Sequence, residues 1–348
     1  MSFSVELLNT IRNNADTEYQ ERVPEATRTN IAEIGRTFAE YDVVYNTFIN
    51  ALIHKIGLTI LQTKSFKNKL ARFKTGSIIM EQDVDEIFVD PFRKAEGSYD
   101  PNGGVGDGAT SPHPMARRTY QDVKVYYHRQ NRQDYYAISL AKVDVIKAFR
   151  SPATLDSFLT AQFNSIYNGA EKDEFIHMKK LFEEAINEKD SSGKFTMFNY
   201  DVPEFNGSVD NAKKFVKACK KAVKDMSYPS KLYNPAGVET FSDSSEIVMF
   251  VNKDVSVDMD VDLYMQVFGP NYAKMNVEIV EVDNFGADDS GTYALIMDKD
   301  WFKVYDTLNQ LEDMKNGQGL YHNYWLHIWQ ILSYSKFKNV VRVGLARA

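Results

Sequence analysis

One cysteine, Cys219, stands in the whole sequence, so no intrachain disulfide can form, and a reducing compartment such as a bacterial cytoplasm is expected. No stretch of about 18 uncharged apolar residues occurs, which excludes a helical membrane span. The first residues, Met-Ser-Phe-Ser-Val-Glu, lack the basic and apolar regions of a signal peptide. Positive charge is in deficit: 41 Lys and Arg against 48 Asp and Glu leave a net charge of −7. A tight nucleic-acid binder is usually basic, because its affinity comes from releasing counterions from phosphates; a local basic patch stays open.

The motifs of chemistry are missing too. The glycines at 103–108 have no following lysine and open no strong helix, so they are not a phosphate loop. Asp100, Asn102 and Gly103 lack the closing glutamate of a calcium loop. Asp258, Asp260 and Asp262 would share one face of a strand and collect a cation, or, at a helix start, favour its dipole; the second reading is preferred. None of the six histidines pairs at i, i+4 around a glutamate, and no Gly-x-Ser-x-Gly elbow occurs. Cys219 has lysines around it, which favour a thiolate, but no histidine is placed as its base, and a helix-packing cysteine is expected. No catalytic, cofactor or metal-binding residue is assigned, and the chain is read as a non-enzyme.

What is present is an ordinary globular composition, 43% hydrophobic and 26% charged, in 348 residues, enough for two or three domains or subdomains. Residues 1–40 are mostly polar with widely spaced apolar positions; they read as a loosely packed arm with one or two short helical pieces, or as one that orders on a neighbour. Val44, Phe48, Leu52 and Ile56 recur at helical spacing, with Gly57 as a cap and a short strand from Leu58 to Thr63. Lys64, Lys67, Lys69, Arg72 and Lys74 form a basic stretch; Glu81, Asp83, Asp85, Glu86 and Asp90 form an acidic one.

Residues 91–114 hold Pro91, Gly97, Pro101, Gly103, Gly104, Gly106, Gly108, Pro112 and Pro114 between two strand patterns, Glu86 to Asp90 and Thr119 to Tyr127. This predicts an extended hairpin whose long tip reaches another molecule. Ser151 and Pro152 suit a helix N-terminus, and Leu155, Leu159, Phe163, Ile166, Ala170, Phe175, Met178, Phe182 and Ala185 predict a helix from 152 to about 188, roughly 50 Å long. Residues 200–299 read as a separate unit. It holds a lysine-rich amphipathic helix at 210–226, strands at Glu246 to Val251, Val277 to Val282 and Thr292 to Met297, and a short helix at Asp260 to Phe268.

The closing stretch is dense in rings: Asp298 to Asp306, a turn near Gly317 and Gly319, then Tyr321-His-Asn-Tyr-Trp-Leu-His-Ile-Trp. Chemistry does not need so many rings; packing and subunit contact do. Asp298 to Phe337 resembles the closing strands of the major capsid protein of phi29-like small podoviruses, which have the Hong Kong 97-type coat fold. Other strings agree in order and spacing: Val23 to Thr27 with Asn30 to Gly35, Phe48 to Leu58, Phe73 to Gly76, His128 to Tyr136, and Ile166 to Glu174.

The resemblance implies an α+β fold with a long spine helix (152–188), an extended hairpin loop (81–120), an N-terminal arm (1–40), a peripheral domain (41–80, 121–199, 300–348) and an axial domain (200–299). It implies a self-assembling phage head in pentamers and hexamers. Expected partners are further copies of the chain, a scaffolding protein, portal and other head proteins, and packaged double-stranded DNA through weak contact. No membrane and no cofactor are expected. The chain would be located in the virion after assembly in the host cytoplasm. Candidate intersubunit contacts are Arg93, Lys94, Tyr99, Arg117, Arg118 and Tyr120 on the loop, Glu86 on its first strand, and Lys67, Lys69 and Arg72 in the basic stretch. Some relatives continue into an immunoglobulin-like domain, whereas this sequence stops at Ala348 just past its last strand. A replication or packaging protein that binds nucleic acid, and a hydrolase whose site is built from distant residues, are the competing readings.

Overall fold

The computed structural model describes residues 3–58, 66–80, 82–91, 121–204, 209–258, 277–286 and 291–347. The chain divides into two units, one of residues 1–82, 130–181 and 304–332, the other of 83–129, 182–303 and 333–348. Helices and mixed sheets occur in both, so the α+β class is observed.

The first unit opens with four helices: α1 (Phe3–Asn14), α2 (Thr17–Arg22), α3 (Ile31–Glu40) and α4 (Asp42–Leu58). The expected loosely packed arm is instead buried helix. Leu7, Leu8 and Ile11 on α1 and Ile31, Ile34 and Phe38 on α3 are core residues, because their wide spacing is the spacing of one helical face. Phe38 stacks on Phe48 at 4.7 Å and meets Phe149 edge-on at 5.0 Å. The polar residues are engaged as well: Asn9 exchanges two hydrogen bonds with the backbone of Ala26, and Arg12 Nε donates to Val23 O.

The sheet of this unit has the order β1-β9-β10-β4, from β1 (Gly76–Ser77), β4 (Arg132–Ala141), β9 (Phe302–Asn316) and β10 (Tyr321–Tyr334). Between β1 and β4 in sequence come β2 (Val84–Val89) and β3 (Val123–His128), both of the second unit. α5 (Lys142–Ala148) follows β4. β4 and β10 pair antiparallel, Leu140 opposite His322 and Arg132 opposite Gln330. With a period of two, Tyr136, Leu326 and their neighbours share one face, packed on Ala170 and Tyr167 of α6 (Pro152–Asn187). α6 matches the predicted spine to within a residue at its C-terminal end, and the Leu155 N–H donates to Ser151 O at its start.

The sheet of the second unit has the order β5-β11-β8-β6-β7. Its strands are β5 (Phe198–Asp201), β6 (Ile247–Asn252), β7 (Glu278–Val282), β8 (Thr292–Asp298) and β11 (Val340–Gly344). It therefore draws strands from either side of 200–299: Val341 and Val343 of β11 pack with Phe215 and Val216 of α7 (Val209–Met226). α8 (Lys253–Asp258) follows β6. A ring cluster closes the other face, where Phe182 contacts Phe250, Phe285, Trp301 and Phe302 at 5.1–5.9 Å. The predicted strand from Leu58 to Thr63 and the helix from Asp260 to Phe268 lie, apart from Leu58, outside the described residues.

Candidate functional site

β2 and β3 form a two-stranded antiparallel ribbon in the second unit, with Ile87 opposite Val125 and Val89 opposite Val123. Alternation gives it two faces. On one face Glu86, Phe88, Lys124, Tyr126 and His128 are anchored inside the unit: Phe88 stacks on Phe337 at 5.6 Å, and Lys124 Nζ donates to Ala236 O. Glu86 accepts from Ser335 Oγ at 2.6 Å, lies 3.3 Å from His128 Nε2 and pairs with Lys303 at 3.6 Å. Burial alone would raise the Glu86 carboxyl, but bonds from His128 and Ser335 and the Lys303 charge hold it below its usual value.

The other face carries Asp85, Ile87, Val89, Val123, Val125 and Tyr127, all exposed. Ile87 is 61% and Tyr127 55% accessible. Five apolar side chains in cross-strand register on a solvated face are what an interaction surface requires and what a monomer avoids. Sequence reasoning placed the hairpin but not this face. The signal was available: the period-two pattern that buries Glu86, Phe88 and Tyr126 must expose Ile87, Val125 and Tyr127.

The other contact candidates are scattered. Arg93, Lys94, Tyr99, Arg117, Arg118 and Tyr120 lie outside the described residues. Glu86 is committed to partners of its own chain. Lys67, Lys69 and Arg72 are exposed in the first unit, Arg72 lying over the Phe73 ring at 4.9 Å.

The basic stretch also supplies one residue that is not at the surface. Lys74 Nζ bonds Glu174 of α6 at 2.9 Å and Asp306 of β9 at 2.8 Å. Gln330 donates to Glu174 and Asp306, Asn68 Nδ2 donates to Glu174, and Arg132 donates to Gln330, Asp134 and Tyr136, whose hydroxyl donates to Asp173. Each oxygen of the Glu174 carboxylate has a donor, the condition for keeping a buried charge. Desolvation pushes Glu174 up, but Lys74, Gln330 and Asn68 outweigh it and hold it below the usual range.

Chemistry has little to work with among the described residues. Ser333 Oγ, His128 and Glu86 form a hydrogen-bonded chain with the residue types of a hydrolytic triad, but His128 is 1% exposed and locked between its partners. A cavity lined by Asp42, Tyr45, Lys142, Lys315 and His322 measures about 10 Å³, room for a water and not a substrate. Among the described residues no group of His, Cys, Asp or Glu is placed to hold a metal. Cys219 is fully buried and its thiol pushed up by burial, which overrides the lysines beside it. Among the described residues, no helix is long and apolar enough to cross a membrane.

The fold is that of phage capsid chains. A capsid chain of Staphylococcus phage Andhra superposes with a TM-score of 0.61 at 13% identity, covering 83% of this chain and 87% of that one. A family model described as the phi29-like phage major capsid protein matches residues 8–343, and the chain belongs to that family. The major capsid protein of Bacillus phage B103 is 33% identical over 97% of this chain and 72% of its own length. That of Bacillus phage PZA is 32% identical over the same shares.

Proposed function

We propose that the chain is the coat subunit of a tailed-phage head, many copies of which close into an icosahedral or prolate shell around double-stranded DNA. The observation that carries this reading is the family match over residues 8–343, backed by relatives at about a third identity along nearly the whole chain. The β2–β3 ribbon supports the manner of assembly: one face is pinned to its own unit and the other presents Ile87, Val89, Val123, Val125 and Tyr127 to a neighbouring copy. The 81–120 segment is then the overlapping loop, α6 the spine, and the unit around 200–299 the axial domain. Glu86 positions the ribbon, and the loop residues Arg93, Lys94, Tyr99, Arg117, Arg118 and Tyr120, with exposed Lys67, Lys69 and Arg72, supply polar contacts between copies. Scaffolding, portal and other head proteins are its further partners, with assembly in the host cytoplasm and the virion as destination. Structural service without catalysis is its role. Mass spectrometry of purified virions tests this: the chain should be the most abundant protein, and its absence would exclude a coat role.

A further inference from the structure

Helix α7, of sequence VDNAKKFVKACKKAVKDM, carries six lysines against two aspartates in a chain whose net charge is −7. Its other side is fixed: Phe215, Val216, Cys219, Ala222, Val223 and Met226 are buried against the sheet of the second unit. That burial forces Lys213, Lys214, Lys217, Lys221 and Lys224 into solvent. Lys213, Lys217 and Lys221 follow at i, i+4, i+8, with Lys224 extending the line, so successive ammonium groups step along the axis by about 6 Å. Among the described residues neutralisation of this face is slight. Lys213 lies 3.8 Å from Asp210, Lys221 lies over the Tyr200 ring at 5.7 Å, and Asp225 already accepts from the Tyr200 hydroxyl. Among the described residues no carboxylate pairs with Lys214, Lys217, Lys220 or Lys224.

We propose that this lysine face of α7 is the surface the coat turns toward packaged duplex DNA, where it meets the phosphate backbone without reading sequence. The proposal rests on the coat reading above and assigns the face. Three observations favour duplex over other polyanions. The cations are all lysine: ammonium groups act as hydrated point charges, whereas the arginine fork fixes a geometry, so the contact is weak and lets the duplex slide. Among the described residues the exposed face of α7 has no aromatic ring of its own, which single-strand binding would need for stacking, and the Tyr200 ring under Lys221 comes from β5 and is half-buried. Among the described side chains of α7 none is both apolar and exposed, and a protein partner would need such an anchor at the centre of its interface. Each subunit contributes little; the repetition of the face over a shell makes the sum appreciable.

Fluorescence anisotropy of the full-length chain with a short labelled duplex of mixed sequence tests this. Binding should appear at low salt, with log K falling linearly in log salt at a slope of roughly −3 to −4, about −0.9 per phosphate contacted. The variant K213Q/K217Q/K221Q/K224Q should lose most of that slope and at least about tenfold in affinity at low salt. The half-variants K213Q/K217Q and K221Q/K224Q should each lose about half the slope, which keeps the test open if the fourfold variant does not fold. A control at two exposed lysines of the first unit, K147Q/K172Q, should behave as the parent. Absence of duplex binding by the parent, an unchanged slope in the half-variants, an equal loss in the control, or tighter binding of polyglutamate than of duplex would each overturn the proposal. Electron microscopy of the same preparations separates the two readings: shells that form from a parent chain with no duplex affinity sink this assignment alone.

Discussion

Lys74 and Glu174 stand a hundred positions apart, and their Nζ and Oε2 atoms meet at 2.9 Å with both side chains largely buried. The pair joins the segment leading into β1 to the middle of α6, and Asp306 extends it to β9. It acts as a clamp within the first unit, since three elements distant in sequence share one charge network.

Removing the cation should therefore be costly. Lys74→Met leaves Glu174 and Asp306 without their counter-charge, and a loss of about 3 kcal/mol in unfolding free energy is expected. The double variant K74M/E174Q should lose less than K74M alone, because the stranded charge goes with its partner. Chemical denaturation midpoints of the two variants check this.

The same network sets an acid limit. Glu174 and Glu86 are held below the ordinary glutamate value of 4.5, so their contribution is present above that pH and is lost as pH falls through the folded values. Lys74 has the opposite sense: burial would depress it, but its bonds to Asp306 and Glu174 raise it, so its contribution is full below 10.5 and fades only as pH rises through the folded value. Asp298, raised by burial, contributes most below its unfolded value and loses that contribution as pH rises through its raised one. Stability against pH should fall on acidification below about 4.5 and fall less steeply in E174Q. Thermal melts across that range read the difference.

Gly35 on α3 faces Phe149 so closely that an added Cβ would lie 2.5 Å from the Phe149 Cβ. Alanine favours helix over glycine by about 1 kcal/mol, yet the contact is with a buried ring held by Phe38 and Phe48. Gly35→Ala is expected to destabilise by about 1–3 kcal/mol net through overpacking. A neutral or stabilising result in denaturant titration would contradict the packing of residues 3–40 described above.

The outer ribbon face should be silent in the subunit and decisive in the shell. Ile87→Asn with Val125→Asn changes two exposed positions, so subunit stability should stay within about 0.5 kcal/mol of the parent. Particle formation, followed by sedimentation, should be lost.

Regular periodicity was legible in the sequence, and so were the elements it builds. The spine was readable from Ser151-Pro152 and its apolar stripe, α7 from its lysines, β2 and β3 from their alternation, and β6, β7 and β8 from their apolar runs. One or two helical pieces were legible in residues 1–40 but their burial was not, because their few apolar residues look sparse until α4 and Phe149 supply the surface that buries them. Long-range pairings were also out of reach: β5 lies parallel to β11, and β1 parallel to β9, through partners over a hundred residues away. At the candidate site, nothing in the basic stretch set Lys74 apart from its neighbours, because its burial depends on carboxylates from α6 and β9. Glu86 read as a contact residue for the same reason, since Ser335 and Lys303 that engage it come from the far end of the chain.

High-resolution cryo-electron microscopy of assembled particles shows whether the outer face of the β2–β3 ribbon joins one copy to the next. Closed shells of this chain are expected, in which Ile87, Val89, Val123, Val125 and Tyr127 are covered by an adjacent copy. Shells in which that face remains open to solvent, or preparations that never assemble beyond single chains even with a scaffolding protein, would contradict this expectation.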